Sequence, residues 1–122
     1  MKGKFDMTDD LKITETIKTA VDAIAEKKGL DIKVIDISNI SIMADYFIIA
    51  SGSNVNQIKA ICDNLREKLG KANVYPGHIE GNENAGWVLL DYTDVIIHIF
   101  DEESRTFYNL ERIWSDGKDV AF

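Results

Sequence analysis

Tyr46-Phe47-Ile48-Ile49-Ala50-Ser51-Gly52-Ser53-Asn54 is the stretch on which the fold turns. Its first five residues are a nearly continuous apolar run, which suits a central strand buried on both faces. Ser51 to Asn54 then reads as a turn entering a helix, and Asn54 with Gln57 has the spacing of a capping-box variant. Val55, Ile58, Ile61, Cys62, Leu65 and Leu69 follow at helical spacing, with Gly70 or Asn73 as the stop. A strand, a helix and a return to the sheet make a β-α-β unit with one right-handed parallel crossover.

Upstream, Ile32 to Ile37 is rich in β-branched residues and reads as a strand. Before it, Ile13, Ile17, Val21 and Ile24 mark a helix over about residues 10–28, stopped by Gly29. Residues 1–9 are expected as a flexible lead. Downstream, Val74 to Glu80 holds one short strand, kept at an edge by Pro76. Gly81 to Gly86 is polar and loose. Trp87 to Leu90 and Val95 to Phe100 are strands joined by the hairpin signal Asp91-Tyr92-Thr93-Asp94. Phe107, Leu110, Ile113 and Trp114 space like a closing helix, with Ser104 as candidate cap, and residues 117–122 are left as a tail. The sequence thus predicts one α/β domain, α+β-like, over residues 10–116. Its core is a mixed sheet of about five strands flanked by helices.

The 122 residues suffice for one domain, and 45% apolar with 29% charged residues is ordinary for a soluble globular protein. The single cysteine, Cys62, lies within an apolar helical stripe and reads as a core thiol. No signal peptide or membrane-length apolar run is evident, so a cytoplasmic location is expected.

Charge is unevenly placed. Between Lys71 and Arg105 there is no Lys or Arg, while Glu80, Glu83, Asp91, Asp94, Asp101, Glu102 and Glu103 fall there. These seven carboxylates equal the net charge of −7. An acidic block beside aromatics fits a basic partner and would repel a bare phosphate backbone, though most such blocks are solvated surface.

Catalytic constellations are weak. A Gly-Ser between strand and helix occurs in nucleotidyltransferases, which also need paired carboxylates for Mg²⁺. Asp91 and Asp94 are three apart rather than two, the wrong spacing for one strand face. Gly52-Ser53 therefore reads first as a structural turn. Asp91, Asp94 and His98 lack the density of a metal site, and His98 reads as a hydrogen-bonded strand histidine or a contact residue. Trp114 reads as core. Trp87, alternating with Val88, leaves core packing and partner contact equally open. No cofactor is expected.

Several blocks resemble a known family: Asp45-Tyr46-Phe47-Ile48-Ile49-Ala50-Ser51-Gly52-Ser53, Glu80-Gly81, Trp87-Val88-Leu89-Leu90-Asp91-Tyr92, Asp94-Val95-Ile96-Ile97-His98-Ile99-Phe100 and Arg105 through Trp114. Together they resemble the Iojap family of ribosomal silencing factors. The resemblance implies a nucleotidyltransferase-like fold without its active site and a non-enzymatic translational repressor. Such a factor binds the large ribosomal subunit through a basic protein of the inter-subunit face, the fourteenth of the large-subunit set, and blocks small-subunit joining. It also implies self-pairing in the free state. Carried onto this chain, the contact residues would be Glu80, Trp87, Asp91, Tyr92, Asp94, His98 and Phe100, with Arg105 and Glu111 as an internal ion pair or caps. The family usually has Gly where Thr93 stands, so another turn type is expected here. A nucleotide-binding or nucleotidyltransferase-like enzyme and a large-subunit assembly factor are the rival readings.

Overall fold

The computed structural model describes residues 7–122, and their side chains from residue 11 onward. The predicted lead therefore lies outside the described residues at 1–6, and its remainder belongs to the first helix. The elements run α1 (Met7–Glu26), β1 (Leu30–Asp36), β2 (Tyr46–Gly52), α2 (Val55–Lys71), β3 (His78–Asn82), β4 (Trp87–Asp91), β5 (Val95–Asp101), α3 (Glu102–Tyr108), α4 (Leu110–Ile113) and β6 (Lys118–Val120). A 3₁₀ turn over Glu83–Ala85 links β3 to β4.

The strands form one mixed sheet in the order β3-β4-β5-β2-β1-β6. β2 lies at its centre, parallel to β5 with Tyr46 opposite Val95 and Gly52 opposite Asp101, and antiparallel to β1. The apolar run of β2 is buried on both sides, as its composition requires. α2 carries the chain from β2 across to the far edge, where β3 and β4 pair and lead back to β5.

The sheet has six strands rather than five. The sixth, β6, lies in the segment expected to be a tail and pairs with β1, Val120 opposite Val34. Its residues Lys118-Asp119-Val120 are largely exposed, and an edge strand open to water need not be apolar.

Strand alternation builds two cores. Ile48, Ala50, Val88, Leu90, Ile97 and Ile99 point to one face and pack with Ile17, Ala20 and Ile24 of α1 and with Ile58, Ile61, Leu65 and Leu69 of α2. Phe47, Ile49, Ile96 and Phe100 point to the other, where Leu110 and Trp114 pack on them. Each fully buried aliphatic side chain contributes about 1.5–3 kcal/mol. Between α1 and α2, the buried Asn64 amide donates to the Ala23 carbonyl and to Glu26 Oε1, each at 2.8 Å. That bond, before any nearby lysine, lowers the Glu26 pKa.

The helix ends correct four expectations. At the close of α1 the left-handed residue is Lys28 (φ +61°), not Gly29. Gly29 N–H bonds back to the Ile24 carbonyl, and a β-carbon at Gly29 would stand 2.3 Å from Ile24 Cγ2. α2 closes in the same way on Asn73 (φ +60°), one of the two stops expected. At its start Asn54 Oδ1 accepts from Gln57 N–H at 2.8 Å, but the Gln57 side chain reaches back to Ser53 N–H rather than to Asn54. α3 is capped by Asp101, whose Oδ1 accepts from Ser104 N–H at 2.7 Å, so Ser104 is the capped residue. The predicted closing helix is broken at Asn109 (φ +49°) into α3 and α4, because Asn tolerates the left-handed region.

Among the described residues, no helix is long and apolar enough to cross a membrane.

Candidate functional site

α3 and α4 cover only part of the second sheet face. Toward the β3 edge it stays open. Register places residues there: Trp87 opposite Asn82 and Phe100, Leu89 opposite Glu80 and His98, and Asp91 opposite His78 and Ile96. Directly paired residues share a face. His78, Glu80, Trp87, Leu89 and Asp91 therefore lie together on the open side.

Trp87 is part core and part surface. The indole is half-buried against the Phe100 ring, centroids 5.0 Å apart, and against the Tyr108 ring of α3 at 4.6 Å, with planes inclined by 45°. Its Nε1–H donates to His98 Nδ1 at 3.2 Å. This bond assigns the His98 proton to Nε2, which is buried and has no partner among the described residues. Burial pushes the His98 pKa down to about 4, so the ring is neutral at physiological pH and stays an acceptor. His98 holds the indole from beneath and is itself buried.

Phe100 is likewise fully buried. Tyr92 is buried on the opposite face, in the core under α1 and α2, where desolvation raises its pKa to about 12. Asp94 borders a cleft with Lys12, Ile13 and Thr16 of α1, away from Trp87. Of the seven expected contact residues, Glu80, Trp87 and Asp91 share one accessible face. His98 and Phe100 lie beneath it, and Tyr92 and Asp94 belong elsewhere.

The acidic block divides as well. Asp101 caps α3, with Glu102 and Glu103 in the first turn of that helix, where negative charge meets the helix dipole. Glu83 lies toward α2, within electrostatic reach of Lys59. Glu80 and Asp91 are the carboxylates left on the open side.

Two residues of this face were not among the expected contacts. Leu89 is half-buried between Trp87 and Asp91, on the side that strand alternation gives it with Trp87. Tyr108 comes from α3 and carried no local signal. Glu80, Gly81, Ala85, Trp87, Leu89 and Tyr108 together line a cavity of about 240 Å³. Gly81 (φ +76°) is required there, since a β-carbon would meet the Trp87 carbonyl oxygen.

The nucleotidyltransferase arrangement is not assembled from the residues first considered. Gly52 ends β2 beside Asp101, whereas Asp94 precedes Val95 at the other end of the same ladder. Six residues of strand separate them, roughly 20 Å. Ser51 Oγ accepts from Arg105 at 2.9 Å, and Arg105 Nε donates to Glu111 Oε1 at 2.9 Å, the internal ion pair expected of them. Among the described residues, no three His, Cys, Asp or Glu side chains converge as a metal site.

Residues 10–122 match the family model described as "Ribosomal silencing factor during starvation". A ribosomal silencing factor of Zymomonas mobilis is 41% identical over 84% of this chain and 77% of its own length. A chloroplastic Iojap protein of Arabidopsis thaliana is 36% identical over 79% of this chain and 40% of its own length. A crystal structure of a Chromobacterium violaceum protein superposes with a TM-score of 0.81 at 34% identity, covering 90% of this chain and 91% of that one. The bacterial relatives are named as silencing factors rather than as enzymes. With a match across nearly its whole length and a fold in common, this chain belongs to the family of ribosomal silencing factors.

Proposed function

We propose that the chain is a non-enzymatic translational repressor that docks on the large ribosomal subunit and blocks joining of the small one. The docking surface in this reading is the open sheet face at the β3 edge. The observation that carries it is the grouping of half-exposed Trp87 and Leu89 with Glu80 and Asp91 on one side of the sheet. Aromatic and aliphatic anchors exclude water at the centre of such a contact, and carboxylates select basic side chains around it. The partner is a basic protein of the inter-subunit face, the fourteenth of the large-subunit set. Occupying that surface is sufficient for repression, so no reacting group is required.

The test is sedimentation of the purified chain with separated ribosomal subunits. Co-migration with large subunits, and fewer joined ribosomes after small subunits are added, is the expected result. Leu89→Arg and Asp91→Lys should abolish co-migration while Asp94→Lys, on the α1 side, preserves it. Equal loss in all three folded variants would move the docking surface elsewhere. No co-migration of the unaltered chain at low salt would remove the ribosome from the account.

A further inference from the structure

The cavity bounded by Glu80, Gly81, Ala85, Trp87, Leu89 and Tyr108 is more specific than a flat contact face. Its volume of about 240 Å³ is below the roughly 300 Å³ at which pockets for drug-sized ligands begin, so it suits a single side chain. Two aromatic rings wall it. They incline at 45° instead of stacking flat, and Tyr108 remains 43% exposed, so π surface stays open to an incoming group. Leu89 and Ala85 supply apolar lining.

The polar side of the cavity has one sign. Glu80 sits on the rim, with the exposed imidazole of His78 at 3.4 Å. Asp91 stands opposite His78 on the same face, and the chain carries no Lys or Arg between residues 71 and 105. An aromatic wedge, an aliphatic floor and a rim carboxylate match the parts of one kind of side chain. A long methylene stem packs on apolar surface, and a cation meets both the ring faces and the carboxylate. The wedge is also held before any partner arrives, because His98 fixes the Trp87 indole from below at 3.2 Å. Rigid walls lower the ordering cost of an inserted group.

We propose that this cavity is a cation-accepting socket that receives one arginine or lysine side chain of the docking protein, its stem against Leu89, its charge over Trp87 and Tyr108 and paired with Glu80. The socket rests on the docking reading above and narrows it to a single insertion point. Arginine is favoured over lysine, because the planar guanidinium stacks on rings and can bond a carboxylate through two N–H groups.

Two measurements separate the socket from the docking face. The first is the affinity of the full chain for purified large subunits. Tyr108→Leu and Glu80→Gln should each weaken it about 3- to 30-fold, the range of a partly desolvated cation–π or charge-assisted contact. Tyr108→Phe, which keeps the ring, should bind like the unaltered chain, and melting curves confirm that each variant is folded. The second is an NMR titration of the free chain with N-acetyl-arginine amide, followed at the Trp87 indole N–H. A saturable shift is expected, absent with N-acetyl-norleucine amide and lost in Tyr108→Leu. Unaltered subunit binding by Tyr108→Leu and Glu80→Gln, beside complete loss in Leu89→Arg, overturns the socket and leaves the docking face standing. An arginine-specific shift in a chain that does not co-migrate with large subunits overturns the docking reading and leaves the socket standing. No shift with either amide, together with unaltered subunit binding, overturns the socket outright.

Discussion

Thr93 sits at φ +74° between Tyr92 and Asp94, where the Asp94 N–H donates to the Tyr92 carbonyl at 3.0 Å. A bond spanning three residues around a positive φ is a strained form of γ-turn, and a β-branched residue tolerates it poorly. Thr93 thus adopts the positive φ that a β-branched residue was expected to avoid. The Asp91 carboxylate accepts from the Thr93 N–H at 2.7 Å and the strands on either side hold the geometry, so the threonine bears the strain. Thr93→Gly should stabilise the fold by about 1 kcal/mol, read as a rise of a few degrees in Tm. Tyr92→Phe should cost little or even stabilise, since the buried hydroxyl lacks a hydrogen-bond partner among the described residues. His98 gives a pH signature. The folded chain keeps the ring neutral down to about pH 4, while the unfolded chain protonates near pH 6.5. The unfolded state therefore takes up the extra proton between those values. The contribution of His98 is complete above about pH 6.5 and falls as the pH drops toward 4, on the order of 3 kcal/mol in all. Urea melts at pH 7 and pH 4.5 should show a smaller loss of stability for His98→Phe than for the unaltered chain; equal losses would refute the assignment.

At the scale of elements, α3 depends on a single side-chain cap. Asp101→Ala should cost about 0.5–2 kcal/mol and loosen the helix that carries Tyr108, visible as faster amide exchange over residues 102–108. How much could be read from sequence varies with the strength of each pattern. β2 and α2 were legible because an apolar run and a helical stripe are long signals with distinct periods. The break at Asn109 was hidden, since Phe107, Leu110, Ile113 and Trp114 keep helical spacing straight through it. β6 was hidden for the opposite reason, as three edge residues have too little pattern to count. Within the candidate site, alternation showed that Trp87 and Leu89 share a side, but not which side α1 and α2 would cover. That choice depends on tertiary packing, and it buried Phe100 and His98 beneath Trp87 and sent Tyr92 into the other core.

For the whole molecule, the decisive feature is asymmetry. Two long helices bury the central strands on one sheet face, while two short ones leave a strip of the other beside the β3 edge. Ile97→Ala, deep in the sealed core, should destabilise by about 2–5 kcal/mol and lower subunit binding only through loss of folded protein. Leu89→Arg should do the reverse, abolishing binding with little change in Tm. The order in which the strands are made has a further consequence. β2 gains its parallel neighbour β5 only after α2, β3 and β4 have been translated. A nascent chain thus carries the apolar strand β2 with one edge unpaired for some forty residues of synthesis. Chains halted before Val95 should be prone to strand-to-strand aggregation and good clients for chaperones, whereas chains that have completed Asp101 should already resist protease.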